Sequence, residues 1–123
     1  MGDFMEAKEM YKFVGTKWED DKDGFAWGCI APMYLTSPKS CSVKRQREDV
    51  KNLLSIYKEN FTEKSLEEIS RGDVIVLELP FGLWHIMVYV EDGKYLHCTE
   101  ATDMEIIKLD DYYLHRIRGV FSV

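Results

Sequence analysis

The sequence predicts an α+β fold in which helices come first and an antiparallel sheet follows them. Two observations lead to this prediction. Apolar residues in the first half recur at three- and four-residue offsets, which is the period of an amphipathic helix. After Gly72 the pattern changes to short runs rich in β-branched residues, separated by turn residues, as in a sheet. The chain of 123 residues is expected to form one domain, residues 1–123, with enough core to fold without disulfide bonds.

Helices are predicted at four places, in residues 3–14, 29–35, 43–60 and 61–69. The first and the last begin at residues that favour the N-cap position, Asp3 and Thr62. In the last helix, Leu66 and Ile69 are expected to face inward. These helices are predicted to pack on the sheet that the second half of the chain forms.

The sheet is predicted to have five to six antiparallel strands, five of which can be placed, in residues 74–79, 84–90, 94–99, 104–108 and 117–122. Side chains on a strand alternate between the two faces of a sheet. Alternation divides the strand at 84–90 into two sets. The apolar set is Trp84, Ile86, Val88 and Val90, and the mixed set is His85, Met87 and Tyr89. The apolar set is expected to face the core, and the mixed set resembles the floor of a site.

Composition and charge exclude several classes of function. The chain has 22 acidic and 16 basic residues and a net charge of -6, which argues against nucleic-acid binding and against attraction to an anionic membrane. The N-terminal residues lack the basic and apolar regions of a signal peptide, and no apolar run approaches the roughly 18 residues of a membrane span. We therefore expect a soluble protein that is made in a cytoplasm, with no nucleic-acid or membrane partner. The oligomeric state is not predicted.

The cysteines and histidines offer a different chemistry. Three cysteines form an odd set without a close pair, so a disulfide framework is not expected. Neither a Cys-x-x-Cys pair nor a His-x-x-x-His pair is present, so neither a metal nor another cofactor is predicted. Cys29 opens a predicted helix, where the helix dipole lowers the pKa of a thiol. With His85 as its base and His97 orienting that base, Cys29 has the groups that nucleophilic cysteine catalysis requires.

The hairpin between the two histidines decides whether they can meet. A two-residue turn at Asp92-Gly93 with regular pairing would place His85 and His97 on opposite faces of the sheet. A three-residue loop ending in a left-handed Gly93, a G1 bulge, would place Met87 opposite His97. Both histidines would then share one face, on a diagonal of roughly 7–8 Å between backbones. The catalytic hypothesis therefore requires the bulged register.

These residues together resemble the NlpC-type cell-wall cysteine peptidases, particularly the compact version encoded in phage tail gene clusters. The resemblance extends over roughly residues 11–121 and rests on five ordered segments, which are Gly15-Thr16-Lys17-Trp18, Gly24-Phe25-Ala26-Trp27-Gly28-Cys29-Ile30-Ala31, Gly72-Asp73, His85-Ile86-Met87-Val88-Tyr89 and Leu96-His97-Cys98. The resemblance implies a papain-like α+β fold in which Cys29 is the nucleophile, His85 the base and His97 the third residue. Substrate-binding roles fall to Trp18, Trp27 and Gly28.

The resemblance also implies a substrate, the peptide stem of bacterial peptidoglycan, whose amide bonds the family cleaves. Because no export signal is visible, we expect delivery by a phage tail or a prophage equivalent, with phage tail proteins as partners and a location in the host cytoplasm or the virion. The sequence departs from the family pattern at three places, because Gly28 replaces an aspartate, Ile30-Ala31 replaces Ser/Leu-Gly, and Trp18 replaces a tyrosine. The departures at Gly28 and Trp18 favour the first alternative, a catalytically weak or inactive tail-assembly or binding module. The other alternative is a thiol amidase or acyltransferase that acts on another substrate.

Overall fold

The structure is a computed structural model that describes residues 6–15, 53–97 and 104–122. Its helices are α1 (Ala7–Tyr11), α2 (Leu53–Asn60) and α3 (Asp111–Leu114), and short 3₁₀ turns occupy Leu66–Glu68 and Pro80–Gly82. Its strands are β1 (Thr62–Lys64), β2 (Val74–Leu79), β3 (Leu83–Glu91), β4 (Lys94–His97), β5 (Glu105–Lys108) and β6 (Ile117–Ser122). The predicted helix at 29–35 and most of the one at 43–60 lie outside the described residues.

The strands of the described residues form one six-stranded antiparallel sheet in the order β1-β6-β2-β3-β4-β5. All five predicted strands are present, and β1 is the sixth. Helices on an antiparallel sheet confirm the predicted α+β class. Strand β3 lies inside the sheet between β2 and β4, and β5 is the outermost strand on that side.

Each face of the sheet carries its own apolar cluster. On the first face, α1 and α2 pack on the strands through fully buried Met10 and Tyr57, which join Val76, Ile86 and Phe121. Each fully buried Val, Ile, Met or Phe side chain contributes about 1.5–3 kcal/mol. The cluster on the second face contains Ile75, Leu77, Met87, Tyr95 and Val120, with Tyr113 of α3 packed against it. The predicted division of β3 into two faces is confirmed, because its apolar set belongs to the first cluster and Met87 and Tyr89 to the second.

The prediction of a helix at residues 61–69 is wrong. Thr62–Lys64 instead pairs with β6, and Leu66–Glu68 forms a single 3₁₀ turn. The capping signal in this segment is real but belongs to Ser65, whose hydroxyl donates to Glu68 Oε1 at 2.9 Å. A segment this short gains little from intrinsic helix propensity, so pairing with a neighbouring strand decides its structure. Leu66 is consequently exposed, whereas Ile69 is half-buried.

The N-terminal helix is shorter than predicted. It begins at Ala7 and its N-cap is Glu6, whose side chain makes no capping hydrogen bond, so Asp3 is not its cap. The short helix α3 was not predicted, and Asp110 caps it by accepting from the Tyr113 backbone N–H at 3.1 Å. Among the helices of the described residues, none is long and apolar enough to cross a membrane.

Candidate active site

His85 and His97 lie on the second face of the sheet, on adjacent strands. His85 is the third residue of β3 and pairs with Leu77 of β2, which belongs to the apolar cluster of that face. His97 is the last residue of β4. Both are buried, with exposed fractions of 7% and 2%. Histidines that are this buried require hydrogen-bond partners for their ring nitrogens.

The β3–β4 hairpin has the register that brings the histidines together. Val88 pairs with Leu96 and Tyr89 with Tyr95, and continuing this register places Met87 opposite His97. That is the register that the catalytic hypothesis requires.

The turn itself differs from the one predicted. Asp92 and Gly93 both have positive φ, at 49° and 74°, and Glu91 pairs with Lys94 across them. This is a two-residue type I′ turn, so the predicted three-residue loop is wrong. The register shifts instead between Tyr89 and Glu91, which leaves Val90 as the extra residue of a bulge in β3. The bulge corrects the register by one residue, as the longer loop would have done.

The two imidazole rings contact each other directly. His85 Nε2 lies 2.9 Å from His97 Nδ1, and the ring planes are inclined at 76° with centroids 5.1 Å apart. One of the two nitrogens therefore donates a hydrogen to the other. Because His85 Nε2 is used in this bond, only Nδ1 of the same ring is left to act on a substrate or a nucleophile.

A third residue, Glu105, extends this contact. Glu105 pairs with His97 across β4 and β5, and its Oε2 lies 2.9 Å from His97 Nε2. Its side chain is 41% exposed, so the carboxylate reaches solvent while both rings are buried. The sequence predicted the strand at 104–108 but not a role for Glu105 in the site. The available signal was an acidic residue at the start of the strand that follows His97 in the chain.

The sequence matches the NlpC/P60 family over residues 8–120. The chain belongs to this family. Its members are generally cysteine hydrolases, and membership suggests a cell-wall peptidase or amidase activity. A search of curated proteins gives no significant match. The contact between His85 and His97 lies within the matched region.

Burial sets the protonation of the histidines in this NlpC/P60 protein. Burial, and to a smaller extent the neighbouring His97, lowers the pKa of His85 to about 3. Burial also lowers the pKa of His97, while its hydrogen bond to Glu105 acts in the opposite direction. A neutral His85 is able to accept a proton, which is the state that a general base requires.

The Gly72-Asp73 segment, one of the motifs behind the resemblance, holds β3 in place. The Gly72 N–H donates to the Tyr89 carbonyl at 3.0 Å, and the Tyr89 N–H donates to the Asp73 carbonyl at 2.8 Å. The buried Asp73 carboxylate accepts from Lys64 Nζ at 2.7 Å and from the Ser70 N–H at 2.8 Å. This motif is therefore structural, and it acts at the site by fixing the strand that carries His85.

Two tyrosines of the second apolar cluster pack together on the same face of the sheet as the histidines. Tyr89 and Tyr95 pair across the hairpin with ring centroids 5.2 Å apart. Burial, together with nearby Tyr89, raises the pKa of Tyr95 to about 12, so its phenol stays neutral at physiological pH. A neutral, buried phenol therefore lies on the face of the sheet that carries the histidines, two residues from His97 on β4.

The remaining predicted site residues, Cys29, Trp18, Trp27 and Gly28, lie outside the described residues. In residues 6–15, 53–97 and 104–122, no group of three or more His, Cys, Asp or Glu side chains could hold a metal ion.

Proposed function

We propose that this NlpC/P60 protein is a cysteine hydrolase that cleaves amide bonds in the peptide stems of bacterial peptidoglycan. The observation that carries the proposal is the 2.9 Å contact between His85 Nε2 and His97 Nδ1. A base held by a second polar group is the arrangement that activates a thiol nucleophile. Family membership supports the reaction class, and Cys29 is the cysteine whose sequence context matches the family's nucleophile.

In the proposed reaction, His85 Nδ1 takes the proton of the Cys29 thiol, and the thiolate adds to the carbonyl carbon of the substrate amide. The tetrahedral intermediate collapses as the C–N bond breaks, and His85 returns the proton to the leaving amine. Water, deprotonated by His85, then attacks the thioester and releases the acid and free Cys29. Throughout these steps, His97 keeps the His85 ring in one orientation.

Trp18, Trp27 and Gly28 are proposed to bind the substrate. Trp18 stands where relatives have tyrosine, and its indole N–H retains one hydrogen-bond donor but no acceptor. Gly28 precedes the nucleophile without a carboxylate, which removes one negative charge from the immediate neighbourhood of Cys29. These two changes are expected to alter the choice of substrate rather than the groups that perform the reaction.

Cleavage of purified peptidoglycan tests this function. Mass spectrometry after digestion is expected to detect stem peptides cut at one amide, with a new amine and a new carboxyl group. Cys29→Ala is expected to give no such products, because the nucleophile is lost, whereas Cys41→Ala is the matched control and should cut like the parent chain. If none of the three proteins cuts peptidoglycan and all bind it equally, the inactive binding module becomes the better description.

A phage tail is proposed as the vehicle that brings the enzyme to the cell wall. The proposal rests on the resemblance of the sequence motifs to those of tail-encoded relatives. Proteomics of purified particles from the parent phage is expected to detect the chain at a fixed ratio to tail proteins. Its absence from particles that are otherwise complete would remove the proposed delivery route but not the proposed reaction.

A further inference from the structure

We propose that Glu105 is a positioning residue that fixes the tautomer of His97 and, through it, the tautomer of His85. The proposal rests on the function proposed above, in which His85 is the base. His85, His97 and Glu105 form a row that two hydrogen bonds connect. The proposal is that the Glu105 carboxylate, at the outer end of this row, determines which atom donates in each bond.

The direction follows from counting protons. An ionised carboxylate only accepts hydrogen bonds, so His97 Nε2, at 2.9 Å from Glu105 Oε2, must carry the proton. A neutral imidazole has a single N–H, so His97 Nδ1 is left with a lone pair. Glu105 therefore makes His97 an acceptor toward His85.

The same count of protons determines the tautomer of His85. Since His97 Nδ1 accepts, His85 Nε2 must donate across the 2.9 Å contact. The lone pair of His85 then lies on Nδ1, the nitrogen that would receive the thiol proton of Cys29. This is the tautomer that a general base requires. After the transfer His85 carries both protons, and neither hydrogen bond has to reverse.

Without the Glu105 carboxylate, the hydrogen bond between the two imidazoles can also run in the opposite direction. His97 can carry its proton on Nδ1 and donate to His85 Nε2, which moves the proton of neutral His85 to Nδ1. A base in that tautomer has no lone pair for the thiol. A doubly protonated His97 would have the same effect, but its 2% exposure opposes this form, and burial lowers its pKa.

The surroundings of Glu105 make it suitable for a test. The side chain is 41% exposed, so replacing it removes little buried contact. Tyr113 is a titratable group near this end of the row, because burial raises the pKa of its phenol and the charges of Asp110, Tyr112 and Glu105 act in the same direction. No positively charged side chain of the described residues forms an ion pair with the Glu105 carboxylate, apart from His97 if it is protonated.

The test combines ¹⁵N NMR of the histidine rings with kinetics on the full chain. The NMR spectra are recorded in Cys29→Ala, because a thiolate next to His85 would favour its protonated form, and there both His85 and His97 are expected as the Nε2–H tautomer at neutral pH. Adding Glu105→Ala to this variant is expected to give a population with Nδ1–H at both rings. In the chain that keeps Cys29, Glu105→Ala is expected to lower kcat about 10- to 100-fold with KM little changed. Glu105→Asp should restore part of kcat. Glu67→Ala, which removes an exposed glutamate elsewhere, is the matched control and should change neither measurement.

Two results would overturn the proposal: an Nδ1–H tautomer at His85 in Cys29→Ala, or unchanged tautomers and unchanged kcat when Glu105→Ala is introduced. The NMR result does not depend on peptidoglycan. If the parent chain cuts nothing but its tautomers change in Glu105→Ala, the proposed function fails while the positioning role stands. If the parent chain cuts and Glu105→Ala matches it in both measurements, the positioning role fails alone.

Discussion

Replacing His85 by glutamine is expected to lower kcat/KM for stem-peptide cleavage by a factor of about 10²–10⁴, the range that a lost general base costs. Glutamine still offers an N–H toward His97 Nδ1, so the bond that now measures 2.9 Å has a replacement. It has no basic nitrogen, so the Cys29 thiol must ionise without help. The loss is therefore expected mainly in kcat.

Alkylation of Cys29 by iodoacetamide gives a second measurement that needs no substrate. In the parent chain, Cys29 is expected to react well below pH 8 and faster than Cys41 and Cys98. In His85→Gln, its reaction should require a pH near about 8.5, the ordinary pKa of a thiol. His115→Gln is the matched control, because His115 is exposed beyond α3. Equal and slow labelling of all three cysteines in the parent chain would contradict the assignment of Cys29 and His85.

Acid is expected to destabilise the folded chain by up to about 1.4 kcal/mol per pH unit through His85 alone, between about pH 6.5 and pH 3. Burial and the nearby His97 lower the pKa of His85 to about 3 in the folded chain, whereas an unfolded histidine has a pKa near 6.5. Between these two values the unfolded chain binds a proton that the folded chain does not bind. The free energy of unfolding is therefore highest above pH 6.5 and decreases as the pH is lowered. Burial lowers the pKa of His97 too, which gives the same sign.

Urea unfolding between about pH 7.5 and pH 5 measures this effect. The measurement is made in Cys29→Ala, because a thiolate next to His85 would favour its protonated form and oppose the effect of burial. Adding His85→Gln to this variant should flatten the dependence of stability on pH, whereas adding His115→Gln should leave it unchanged. If the free energy of unfolding depends on pH equally in Cys29→Ala and in its His85→Gln derivative, His85 has the same pKa in the folded and the unfolded chain, and the prediction is wrong.

The pairing of the histidines could be predicted from the sequence because strand alternation is strictly periodic. Once the register of the β3–β4 hairpin is known, the side chains of His85 and His97 must share a face. The turn was predicted incorrectly because a three-residue loop and a two-residue turn followed by a bulge give the same register. Local sequence does not distinguish them, and Gly93 suits both. Here Asp92 also adopts a positive φ, a conformation that aspartate tolerates better than most residues.

Glu105 and β1 were missed for a different reason. Residues 98–104 separate β4 from β5, and a connection that long does not determine which residue of β5 lies opposite His97. The pairing of Thr62–Lys64 with β6 joins segments that are far apart in the chain, so no local sequence pattern predicts it. In both cases, contacts distant in sequence decided the structure.

The position of β5 at the margin of the sheet has a thermal consequence. Within the described strands, β5 is hydrogen-bonded on one side only, through β4, whereas β3 is held on both sides. Marginal strands detach by local fluctuations at a lower free energy than interior ones. Moderate heating would thus release Glu105 first, while the contact between the imidazoles persists. The temperature at which catalysis declines would then lie below the temperature at which the whole chain melts.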